Sequence, residues 1–115
     1  EASALAAGAR PCFECQRARA LEFAAAAGIA HAGEIDAALH AERSCARMLV
    51  DPASLPDGAM IAVGAAAFLI ADGAARRWSP DCYGARETLA SEAMLLTPPL
   101  TLAAIRAGFS PATAA

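Results

Sequence analysis

The chain has 115 residues, 57% of them hydrophobic, and a formal net charge of −3, a size and composition that suit one domain. There is no basic excess to neutralise phosphates, and the nine arginines are scattered along the chain rather than gathered in a stripe, which argues against nucleic-acid binding. The longest apolar run, residues 59–71, is too short to span a bilayer and is interrupted by Gly64, so a buried hairpin is expected there rather than a membrane segment.

Residues 1–10 are alanine-rich and read as a short helix or an arm, with Gly8 and Pro11 marking its end. Residues 12–27 are good helix formers, and Gly28 is the expected terminator, so this helix is expected to open with both Cys12 and Cys15. Residues 33–46 read as a second helix, with Glu34 and Asp36 in its first turn and Arg43 and Arg47 near its last. Ile35, Ala38 and Leu39 give it an apolar face, while Asp36, His40, Arg43 and Ser44 share another side.

The texture changes after Asp51-Pro52, where Leu55-Pro56-Asp57-Gly58 is a turn signal. Short β-type runs follow at 59–63, 66–71 and 74–78, separated by Gly64-Ala65 and by Asp72-Gly73, a strong hairpin signal. Residues 48–50 add a strand before this meander and residues 93–97 one after it. Pro98-Pro99 leads into a last helix over 100–107, stopped by Gly108. The expected fold is therefore α+β: N-terminal helices, then a small antiparallel meander or partly open barrel, then a C-terminal helix. Residues 1–46 form the helical part and residues 47–115 the sheet with its helix, within one domain.

Much of the apolar content is alanine, and only six residues are aromatic, so the core is thin. Such a domain gains proportionately more from a cross-link or a bound metal, which draws attention to its four cysteines. Cys12-Phe13-Glu14-Cys15 puts two sulfurs three residues apart at the positive end of a helix, where thiolates are favoured. Zinc is the natural ion for such a pair, and needs further donors from elsewhere. His40 and Cys45 supply them with His-x4-Cys spacing, and Asp36, one turn before His40, is placed to orient its ring. Cys82, in Ser79-Pro80-Asp81-Cys82-Tyr83-Gly84, is a rival for the fourth position, and His31 for the place of His40. The spacing of the pair suits metal or redox chemistry better than secreted disulfides, and the cytoplasm is the expected compartment. The leading expectation is a zinc-stabilised binding or scaffold domain with a protein partner.

Each of these residues also has a plainer reading. An unpaired cysteine is often a small buried hydrophobe, and a helical histidine beside an aspartate is often a surface ion pair. A thiol-redox role would use the same Cys-x-x-Cys, although no strand is expected to lead into it. Pro11-Cys12-Phe13-Glu14-Cys15 and His40-Ala41-Glu42 resemble, in reversed order, the two zinc-site segments of the zinc-dependent nucleobase deaminases. That resemblance implies a hydrolase in which Glu42 moves protons around a zinc-bound water. It requires a helix that starts at His40. In an unbroken helix Glu42 sits about 200° around the axis from His40 and is expected to meet solvent or an arginine instead.

The second half resembles small uncharacterised proteins of GC-rich bacteria. The likeness rests on Leu55-Pro56-Asp57-Gly58, Trp78-Ser79-Pro80, Tyr83-Gly84, Leu96-Thr97-Pro98-Pro99 and Ala104-Ile105-Arg106-Ala107-Gly108-Phe109. It implies one unit of helices followed by a sheet and transfers no catalytic residue.

Overall fold

Helix α1 (Ala2–Ala6) opens the chain, followed by α2 (Arg17–Ala27) and α3 (Ala32–Arg43). The computed structural model describes residues 1–29, 31–43, 47–80 and 82–112. The strands are β1 (Leu49–Val50), β2 (Met60–Val63), β3 (Ala66–Ala71), β4 (Ala74–Trp78), β5 (Tyr83–Glu87) and β6 (Ala93–Leu95), and α4 (Pro99–Arg106) comes last. All six strands pair antiparallel in one open sheet of order β1-β6-β2-β3-β4-β5. The fold is thus α+β, with helices at both ends and an unclosed sheet between them.

The pleat sorts the strand side chains onto two faces. Ile61, Phe68, Ile70, Ala75, Ala93 and Leu95 belong to one buried cluster, which Leu55 and Leu102 of α4 complete. Their neighbours Met60 and Leu69 point the other way and pack with Ala2 of α1. Asp72 and Gly73 both have positive φ, 50° and 72°, as the two-residue turn between β3 and β4 requires.

The helices share a third cluster of Leu5, Phe23, Ile35, Leu39, Ile105 and Phe109. Phe23 and Phe109 meet edge to face with ring centroids 5.2 Å apart. Helix α4 joins the two halves, because Leu102 faces the sheet while Ala104 and Ile105 face α2 and α3. Pro99 sits in its first turn, where the missing N–H costs nothing.

Two expected helices need correction, and one strand was not expected. The helix expected over 12–27 begins at Arg17, so the cysteines precede it; Gln16, with φ −133° and ψ 52°, interrupts the helical run. Strand β5 was not legible, since Tyr83-Gly84-Ala85-Arg86-Glu87 shows no apolar alternation; it is a largely exposed edge strand. The helix expected over 33–46 starts one residue earlier and runs to Arg43, while residues 44–46 lie outside the described residues.

Candidate functional site

The segment before Cys12 is fastened to one side of α3. Gly8, with φ +94°, passes so close to Arg43 that an added Cβ would lie 2.7 Å from its Nε. The Arg43 Nη2 donates to the Gly8 carbonyl at 2.9 Å. Two residues on, Arg10 grips both oxygens of Asp36, Nε to Oδ1 at 2.8 Å and Nη2 to Oδ2 at 3.1 Å. Its Nη1 donates to the Pro11 carbonyl at 3.0 Å, and its guanidinium lies 5.2 Å from the centre of the Phe13 ring. Pro11 is buried, so the chain enters the cysteine turn from a fixed point.

The turn itself is one helical turn closed by the Gln16 N–H on the Cys12 carbonyl at 2.9 Å. Inside it the Cys15 N–H donates to the Cys12 Sγ at 3.3 Å, so the sulfur acts like a capping side chain. The amides of Cys15 and Glu14, and then the Cys15 thiol, hold the Cys12 thiol below its ordinary value. The bond to Cys12, together with the charge there, pushes Cys15 up. The two sulfurs therefore share one site in which Cys12 is the preferred seat of negative charge. Cys15 is exposed and Cys12 partly so.

The other expected donors stand apart from this pair. His40 lies inside α3 and is exposed, on the side that receives Arg10 and Gly8. Asp36 is committed to Arg10, not to orienting the His40 ring. His31 is exposed, and its carbonyl accepts the Glu34 and Ile35 amides at the start of α3. Cys82 sits in the β4–β5 turn, where its amide donates to Ser79 Oγ at 3.2 Å. Cys45 lies outside the described residues. Among the described residues no three of His, Cys, Asp and Glu come together as a group that could hold a metal.

No protein-family model, curated protein or solved structure matches the chain.

Glu42 has a role that spacing did not reveal. Its carboxylate accepts the Leu100 N–H with both oxygens, at 3.0 and 3.1 Å, across the space between α3 and α4. Pro98 offers no side-chain cap, so Glu42, 58 positions before Leu100, supplies it. With Arg43, Arg47, Leu95, Leu96 and Pro98, Glu42 lines a cleft of about 130 Å³. Helix α3 runs unbroken through His40, Ala41 and Glu42, so the helix start at His40 that the deaminase-like reading needs is absent. Among the described residues, no helix is long and apolar enough to cross a membrane.

Proposed function

We propose that this is a small binding or scaffold domain stabilised by zinc, with Cys12 and Cys15 as two donors and His40 and Cys45 as the others. The observation that carries this reading is the shared turn of the two cysteines, in which the Cys15 amide donates to the Cys12 sulfur at 3.3 Å. Zinc takes cysteine as thiolate, the form that this hydrogen bond stabilises. The Arg10–Asp36 and Arg43–Gly8 contacts favour His40 as a third donor, because they hold the chain that leads into the turn against the side of α3 carrying that histidine. Cys45 follows the last residue of α3 by two positions.

Four protein donors would close the ion off from water and leave it a structural role, tying the cysteine turn to the end of α3. A reducing compartment such as the cytoplasm suits a site built on free thiols. The partner of such a scaffold is another protein. The hydrolase alternative has less support, since the Glu42 carboxylate is engaged by the Leu100 amide.

The test is metal content on protein purified without added metal. About one zinc per chain is expected, lost in Cys12→Ala and Cys15→Ala together with thermal stability, and weakened in His40→Ala. Metal-free protein whose thermal stability is unchanged by added zinc would overturn the reading.

A further inference from the structure

We infer that the Cys12–Cys15 turn, when free of metal, is a thiol–disulfide exchange site for small aliphatic disulfides, with Cys12 attacking and Cys15 resolving. The inference uses the two sulfurs of the proposed zinc site but does not require the metal.

Geometry carries it. The Gln16 N–H on the Cys12 carbonyl at 2.9 Å makes residues 12–16 one helical turn. Side chains three positions apart on such a turn have Cβ atoms about 5–6 Å apart, and a disulfide asks for about 3.5–4.5 Å, so a small tightening of an exposed turn closes the bond. The Cys15 amide at 3.3 Å from the Cys12 sulfur is placed to hold that sulfur as it attacks and as it leaves. Both sulfurs reach solvent, and Cys15 is the more open of the two. Arg10 and Pro11 hold the entry to the turn, so closing the bond need not unwind α2.

The exchange balances without a further reactant. The Cys12 thiol gives its proton to water and its sulfur attacks one sulfur of R–S–S–R, the S–S bond breaks, and one RS⁻ leaves with the electron pair and takes up a proton from water. Cys12 now carries the mixed disulfide. Cys15 gives its proton to water, attacks the Cys12 sulfur and expels the second RS⁻, which is protonated in turn. One disulfide has become two thiols, and the domain has lost two hydrogens to a Cys12–Cys15 bond. A low-molecular-weight thiol reverses the two steps and resets the site.

The test treats the chain with a chelator and then with oxidised glutathione, and maps the product after trypsin. Cleavage after Arg17 releases residues 1–17, since Pro11 protects Arg10, and this fragment holds both cysteines and neither Cys45 nor Cys82. The expected result is a fragment lighter by two hydrogens. In Cys15→Ser the mixed disulfide should accumulate on Cys12 faster than it does on Cys15 in Cys12→Ser. A fragment that stays reduced, or carries glutathione on both cysteines, overturns the proposal, as does equal trapping in the two variants. Zinc content, measured before the chelator, reports on the metal reading alone.

Discussion

Replacing Glu42 separates a capping carboxylate from a catalytic one. In Glu42→Ala the Leu100 amide loses both acceptor oxygens and the first turn of α4 loses a negative charge. Loss of a cap costs about 0.5–2 kcal/mol and a charge at a helix N-terminus is worth about 0.3–1 kcal/mol. Glu42 is half-buried, so screening is incomplete and a total of about 1–2 kcal/mol is expected. In a domain of this size that lowers Tm by about 4–8 °C, because each kcal/mol is worth about 4 °C. Glu42→Gln keeps one acceptor oxygen and loses the charge, so it should fall between wild type and alanine. Urea unfolding followed by circular dichroism measures both, and zinc content should be unchanged in both. An alanine variant as stable as wild type, or a glutamine variant as weak as alanine, would refute the capping argument.

Other outcomes follow from single contacts. Thr101 is wholly buried and its hydroxyl has no partner among the described residues, so Thr101→Val should raise stability by about 1 kcal/mol; a lower Tm would show the hydroxyl to be bonded. Gly8→Ala places a Cβ against Arg43 at a positive φ and should cost about 1–3 kcal/mol in urea unfolding. Burial pushes the phenol of Tyr83 up, against the opposing bond to Ser3. Its absorbance titration should therefore lie above that of the urea-unfolded chain, and the stability it contributes, fully present below the unfolded value, is lost as pH rises through the folded one. Identical titrations in the two states would contradict this.

Where local chemistry decides the structure, the sequence was readable. Asp72-Gly73 dictates its hairpin, and the alternation of Phe68, Leu69 and Ile70 sends neighbouring side chains to opposite faces. Ile35 and Leu39, one turn apart, carry α3 into the helical cluster. Strand β5 had no such signal because it lies at an edge, where Ala85, Arg86 and Glu87 are exposed and only Tyr83 packs against the cluster of Ala2, Met60 and Leu69, so backbone pairing with β4 rather than an apolar pattern defines it. The cap from Glu42 to Leu100 was illegible for another reason: it joins residues that only the folded chain brings together.

The cysteine turn lies between these cases. Its spacing was visible, but its detachment from α2 depends on Gln16 leaving the helical region and on Cys12 using its own sulfur to accept an amide. The stripe of Asp36, His40 and Arg43 is also visible in the sequence, where His40 is expected to be a ligand together with Cys45 and Asp36 to orient its ring. In the fold its two ends grip the chain instead, Asp36 through Arg10 and Arg43 through Gly8, with His40 between them. A metal can then draw on this stripe only through His40, because Asp36 already balances a guanidinium. That makes Asp36→Asn a sharp probe of the whole arrangement. It should weaken the grip of Arg10 and loosen the entry to the turn, so Cys12 and Cys15 should alkylate faster while Cys82 keeps its rate. Equal acceleration at all three would mean general loosening of the fold, and no change would mean that the turn stands without its anchor.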